Sequence, residues 1–323
     1  MPELPSIPLG SWIADIINWL TDNVAALFDG IHAILEFLGN IVYYVLTLPH
    51  PYLLTAILAA IALVVKRKPG LPIFTIIAFL LIDSMGYWER AMQTLALVIV
   101  ATVIAVAIGV PVGIWAAKSG RASVIVRPVL DFMQTLPVFV YLLPAVFFFG
   151  IGVAPGIVAT IIFAIPPGVR LTELGIRQVD REVVEAAHAF GSKPSQILRE
   201  VQIPLAMPSI MAGVNQVIML ALSMVVVAAL VGAPGLGIPV VAGMQSLNIA
   251  QGFEGGISVV ILAIYLDRLT GGLADLAQRR GRKRSKAPRS PGDTADEERE
   301  MASAMEEGKR GRAASGAVMG GGG

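Results

Sequence analysis

Residues 185–204 read EAAHAFGSKPSQILREVQIP, a polar stretch set between two long apolar runs. Its form is Glu-Ala-Ala, three residues, Gly191, nine residues, then apolar, any, apolar and Pro204. Asp180 is placed to cap a helix beginning at Arg181, and Gly191 to end it. Within that helix Val183, Val184, Ala187 and Phe190 fall on one face at helical spacing. Ala186 and Ala187 keep the surface low, which suits a short helix entering a partner's groove. Glu185 can pair with Arg181 one turn back or reach a partner's basic group. Ser192 is placed to cap a second short helix near Pro194, and Pro204 to begin the next apolar segment. An ordinary amphipathic helix lying on a membrane is the plainer alternative; the Gly and Pro spacing favours docking.

Outward from this stretch the chain is apolar. It has 323 residues, 55% hydrophobic and 15% charged, with a mean hydropathy of +0.74. Soluble domains carry about 25% charged residues, so the composition is that of a membrane protein. Cysteine is absent, which excludes disulfides and thiolate metal sites. His32, His50 and His188 are scattered and form no metal cluster. The N-terminus MPELPSIPLG has no basic region of the kind a cleaved signal carries.

Apolar runs occupy 51–65, 71–82, 91–117, 129–149, 151–169, 205–231 and 256–270, against about 20 residues for a straight span. Between them lie Lys66, Arg67 and Lys68; Lys118, Arg121 and Arg127; and Arg170, Arg177, Arg181, Lys193 and Arg199. With those segments in the cytoplasm, Arg90 is the single basic residue of 24 left outside. The positive-inside rule then gives an all-α polytopic protein of about seven spans, N-terminus outside and C-terminus cytoplasmic. The domains read as 1–50, 51–272 with a cytoplasmic loop at 170–204, and a tail at 273–323.

The first piece, 11–48, lacks Lys and Arg. Its acids Asp15, Asp22, Asp29 and Glu36 recur every seven residues, as do Trp12 and Trp19. Seven residues is about two helical turns, so the acids form one stripe and the tryptophans another line. That pattern suits an interfacial helix with aromatics at headgroup depth; the alternative is that 31–48 crosses the bilayer. Pro111, Pro137, Pro144, Pro155, Pro166, Pro167 and Pro208 predict kinks or breaks. The GAPGLG stretch at 232–237, with Pro239, reads as an irregular external turn facing the pathway or a docked protein. The tail runs from RRGRKRSKAPR (279–289) into acidic DTADEERE, a composition typical of disorder.

The chain holds no G-x-x-x-x-G-K-[ST] loop, no catalytic triad and no carboxylate pair in a solvent-accessible pocket, so no catalytic residues are assigned. The inner parts of the seven runs carry no Asp, Glu, Lys, Arg or His, unlike a proton-driven carrier. Energy is therefore expected from a separate motor.

The spacing at 185–204 resembles the cytoplasmic loop of ABC importer permeases. DFMQTLPVFVYLLPAVFFFGIG (131–152), PPGVRLTELGIRQV (166–179), AGVNQVIMLALSMVVVAALVGAPGLG (212–237) and GFEGGISVVILAIYLDRLT (252–270) are similar to permeases for glycine betaine, proline betaine and choline. So is PLGSWIADIINWLTDN (8–23), and the likeness covers about 8–270. Val201, Ile203 and His188 depart from the common loop pattern without disturbing the helix face; the resemblance does not extend into the tail. The resemblance implies a type I ABC importer transmembrane domain in the prokaryotic inner membrane, working with an ATPase subunit that binds ATP and Mg. It also implies an external substrate-binding protein and a second permease copy. The chain itself would need no cofactor or metal and would not be an enzyme.

By this reading Glu185, Ala186, Ala187, Phe190, Gly191 and Pro204 form the coupling loop. Gln134, Thr135, Asn215, Gln216 and Ser223 are candidates to line the path, or to serve as hydrogen-bonding glue between helices. Gly109 and Gly113 have the spacing for close helix contact. The alternatives are a permease for another small solute, such as an amino acid or phosphonate, and an osmosensing channel that gates without ATP.

Overall fold

A computed structural model describes residues 8–285, and the described residues are helical throughout apart from short turns. Of the tail expected at 273–323, residues up to Ser285 are helical, and the remainder, with the acidic segment, lies outside the described residues. The piece 11–48 divides at Val24 into α1 (Leu9–Asn23) and α2 (Ala25–Thr47). Asp15, Asp22, Asp29 and Glu36 are all exposed, as are Trp12 and Trp19. By length and apolarity α2 qualifies as a span. Holding exposed Asp29 and Glu36 in hydrocarbon would cost about 2.5–3.5 kcal/mol for a central Asp on insertion scales, which opposes crossing.

α3 (Pro51–Lys66) and α4 (Gly70–Ser84) form a hairpin whose turn carries Lys66, Arg67 and Lys68. At 16 and 15 residues they reach only about 22–24 Å, short of a hydrocarbon core of about 30 Å. α5 (Trp88–Lys118), at 31 residues, is long and apolar enough to cross.

The run 129–149, expected as one span, is two helices. α6 (Gly120–Thr135) and α7 (Val138–Phe149) meet at 95°. Pro137 has no N–H to donate and pushes the preceding residue out of helix; Leu136 accordingly sits at φ −65°, ψ 132°. The other expected prolines act differently. Helices continue through Pro111, Pro144, Pro166, Pro167 and Pro208, while Pro155 falls in the first turn of α8 (Val153–Arg177).

α9 (Arg181–Ala189) leads to α10 (Pro194–Gln196), a π-helical segment at Ile197–Gln202, α11 (Ile203–Ser223) and α12 (Val225–Leu230). The chain is helical from Pro194, and Pro204 falls in the first turn of α11. Pro204 crowds the carbonyl four residues back, and the wider π turn just before it is the local adjustment that keeps the helix continuous. α13 (Gly237–Gln245) and α14 (Ile249–Ser285) follow.

The centre is α8, packed on α5 and on α11. Small residues let these helices close. A Cβ on Gly113 of α5 would lie 2.6 Å from Thr172 Cβ and 2.7 Å from the Val169 carbonyl oxygen of α8. One on Gly175 of α8 would lie 2.6 Å from Ser209 Cβ of α11. Without a hydrophobic driving force between helices in lipid, such close packing is what holds a bundle. A second core joins the hairpin to α5, α11 and α14 through Leu58, Phe79, Met92, Leu222 and Tyr265.

The GAPGLG stretch does not stand free on the outside. Ala233 and Leu236 are buried, and the Leu236 N–H donates to Thr94 Oγ1 of α5 at 2.8 Å. That hydrogen bond satisfies a backbone donor the turn would otherwise bury unpaired.

Candidate functional site

α9 stands away from the bundle, with no buried residue. Asp180 accepts the Glu182 N–H at 3.0 Å, capping its start. Its end is a left-handed turn: Gly191 has φ +78°, its N–H donates to the His188 carbonyl at 2.9 Å, and the Ser192 N–H donates to Ala187 at 3.2 Å. That conformation costs a residue with a Cβ, which is why Gly belongs there.

The apolar face is split. Val184 and Ala187 turn half inward, whereas Val183 and Phe190 face out, Phe190 with 89% of its surface exposed. Ala186 and Glu185 are exposed too, and among the described residues Glu185 makes no ion pair, so the Arg181–Glu185 pair does not form. Ser192 does not cap the next helix. Lys193 occupies that position, and its N–H donates to Gln196 Oε1 at 2.9 Å. Under α9 lies a groove of about 380 Å³ lined by Lys118, Arg177, Arg181, Glu185 and His188 among others.

The apolar run ending at 169 understates α8, which continues to Arg177 and so takes eight residues from the supposed loop. That extension buries an acid that the run boundaries hide. The Glu173 side chain is 4% exposed and receives hydrogen bonds on Oε1 from Ser123 Oγ at 2.7 Å and Arg127 at 3.0 Å, both on α6. Arg177 Nε lies 2.9 Å from the same oxygen, and Arg177 also donates to the Ala116 carbonyl of α5 at 2.9 Å. Arg170 pairs with Asp131 beside them. The signal was present in sequence: Arg170, Glu173, Leu174 and Arg177 follow the 0, 3, 4, 7 spacing of one helix face.

The path candidates separate. Gln216 and Ser223 share an exposed face of α11 with Ala212 and Met219. Asn215 does not join them: its amide donates to Asp267 Oδ1 at 2.9 Å and its carbonyl accepts from Thr270 Oγ1 at 2.7 Å, both on α14. It is glue between helices. Gln134 and Thr135 are exposed at the α6–α7 corner.

Apolar helices packed through glycine notches, a bent helix pair and an exposed capped helix between spans define the membrane domain of a transporter. The chain belongs to the family described as binding-protein-dependent transport system inner membrane component, which matches residues 109–283. It is 50% identical over 282 residues to the glycine betaine transport system permease protein OpuAB of Bacillus subtilis, covering 87% of this chain and 99% of that one. It is also 50% identical over 277 residues to the glycine betaine/carnitine transport permease protein GbuB of Listeria monocytogenes, covering 84% and 96%. With the glycine betaine/proline betaine permease ProW of Escherichia coli the identity is 46% over 279 residues, covering 86% and 78%. Among solved structures, the MetNI methionine ABC transporter in an inward-facing conformation gives a TM-score of 0.54 at 22% identity, covering 59% of this chain and 95% of that one. The fold is thus that of a type I ABC importer transmembrane domain, a multi-pass inner-membrane protein.

Proposed function

We propose that this chain is the permease subunit of an ATP-driven importer for glycine betaine and related quaternary amines such as proline betaine and choline. The observation that carries it is α9: a capped helix between two spans with no buried residue, an outward phenylalanine, and a glutamate that makes no ion pair among the described residues. It supplies the low surface and anchor that a helix-in-groove partner needs. The partner is an ATPase subunit, which binds the ATP and Mg. Glu185, Ala186, Ala187 and Phe190 are the docking surface, Gly191 fixes its end, and Pro204 marks where its motion enters α11.

One docking helix per chain serves one ATPase, and ATP is hydrolysed between two, so two permease copies are required. The basic helix ends face the cytoplasm. α2 meets the opposite ends of the bundle: Tyr43 donates to Glu89 at the start of α5, and His32 Nδ1 lies 2.9 Å from the carbonyl at the end of α7. These two contacts lie on the side of the bundle away from the basic helix ends, and Leu35 and Gly39 of α2 pack against α5 and α8.

A betaine is zwitterionic with no net charge. A path lined by Gln216, Ser223, the corner residues Gln134 and Thr135, and backbone carbonyls passes it without a fixed charge to trap it. Selection falls to an external binding protein, which can hold the quaternary ammonium by cation–π contacts. The test is ATP-dependent uptake of labelled glycine betaine into proteoliposomes holding the complete complex, with competition by proline betaine and choline. A complex whose ATPase answers another solute, such as an amino acid or phosphonate, and that takes up no betaine refutes the substrate. Uptake that proceeds without ATP refutes the importer.

A further inference from the structure

We infer that Glu173 is a positioning residue of the transport cycle: its buried carboxylate ties the α6–α7 corner to the end of α8, so that a displacement of α9 is delivered to the corner. The inference rests on the reading of α9 as the ATPase dock and adds how the push leaves it.

α8 ends at Arg177 and α9 begins at Arg181. The intervening chain is a hydrogen-bonded turn, with the Gln178 N–H donating to Leu174 at 2.9 Å and the Val179 N–H to Ile176 at 3.4 Å. A movement of α9 is therefore passed first to the last turn of α8. Glu173 sits one turn before that end. Through Ser123 and Arg127 it grips the middle of α6, and through Arg177, which also holds the Ala116 carbonyl, it grips the end of α5. α6 and α8 meet at one carboxylate oxygen, and Arg177 extends the cluster to α5.

A carboxylate buried this deeply is costly unless charged partners compensate, and here two guanidinium groups do. Apolar packing alone would fill the same space more cheaply; what the charged cluster adds is a directional joint that slips less readily than Val126 and Leu130 sliding on Val169. α6 leads directly into the 95° corner where Gln134 and Thr135 lie exposed. The corner thereby follows α8.

The experiment uses the complete complex in proteoliposomes. The absence of native cysteine permits an environment-sensitive fluorophore on a single introduced thiol, at Glu182→Cys on α9 or Phe132→Cys beside the corner. With otherwise wild-type sequence, ATP is expected to change both signals. Glu173→Gln keeps the volume and the Ser123 hydrogen bond but removes the charge. It is expected to leave the α9 change intact and abolish most of the change at Phe132, with uptake per ATP hydrolysed falling in step. Arg127→Lys, which keeps a positive charge beside the buried carboxylate but loses the guanidinium hydrogen bond, is expected to act in the same direction, and it carries the test if the first variant does not assemble. A Phe132 signal that still follows α9 in these variants overturns the linkage. Equal loss of both signals also overturns it, since Glu173 would then be serving the dock or the fold. An α9 signal that ignores ATP in the wild-type background refutes the docking reading itself and the linkage with it.

Discussion

Gly109 and Gly113 look equivalent in sequence, one helical turn apart on α5, yet the structure assigns them different consequences on substitution. A Cβ added at Gly109 meets the α8 backbone at 3.6 Å, ordinary van der Waals contact. At Gly113 it arrives 2.6 Å from Thr172 Cβ and 2.7 Å from the Val169 carbonyl. Carbon atoms pack best at about 3.5–4.0 Å, so Gly113→Ala needs the two helices to part by about 1 Å. Neither obstacle is a flexible side-chain end, which puts the cost in the upper part of the usual 1–3 kcal/mol for overpacking. Replacing a helix glycine by alanine returns about 1 kcal/mol of propensity in each case. Gly109→Ala is therefore expected to be neutral or slightly stabilising, and Gly113→Ala to lose about 1–2 kcal/mol. The assay is the temperature at which the purified complex in detergent loses half its monodisperse peak, with uptake measured in parallel. Gly113→Ala should lose stability and uptake while Gly109→Ala keeps both. Two variants of equal stability, or Gly113→Ala the more stable, would refute the packing of α5 on α8 described here.

Gly191→Val strains the left-handed end of α9, and Glu185→Lys reverses its free charge; both should lower betaine uptake while leaving membrane insertion normal, scored by uptake against surface-labelled protein. Asn215→Ala strips α14 of two hydrogen bonds and should cost stability, about 1–3 kcal/mol for the groups left unpaired, with the concentration dependence of uptake unchanged. Gln216→Ala should do the reverse, shifting that dependence with little change in stability. A thiol at Ser11→Cys should react with an impermeant reagent in intact cells, and one at Ser192→Cys only after permeabilisation.

Much of this was legible in the sequence. The cap at Asp180, the turn at Gly191 and the two basic ends of the α3–α4 hairpin and α5 follow from local chemistry, which acts over a few residues and leaves its mark there. Proline was the least reliable guide. α8 runs on through buried Pro166 and Pro167, and α5 and α11 run on through exposed Pro111 and Pro208, yet the chain turns by 95° at Pro137. Burial of Glu173 was also missed. An apolar run stops at the first charge, but a helix continues where counter-charges are supplied, and here one came from Arg127 of α6, 46 residues earlier, and the other from Arg177 one turn on in α8. Asn215 and Gln216 differ by one position and 100° of helix, so only the location of α14 tells glue from lining.

The distribution of tight and loose packing also bears on how the domain can move. α5, α8 and α11 meet through glycines with almost no clearance, and a packed contact of that kind shifts as a body or not at all. Change of shape is then confined to places where helix hydrogen bonding is already interrupted. Two of these adjoin α9 in the chain or through Glu173: the corner at Pro137, and the π-helical segment Ile197–Gln202 between α9 and α11. A π turn holds a helix with poorer geometry than the α-helix on either side and is a common place for functional bending. On the proposed docking at α9, motion entering there would have a stiff exit through α8 and a compliant one through the π segment. With α8 and α11 packed closely at Gly175 and Ser209, that docking would have the π segment relieve the mismatch and α8 carry the displacement.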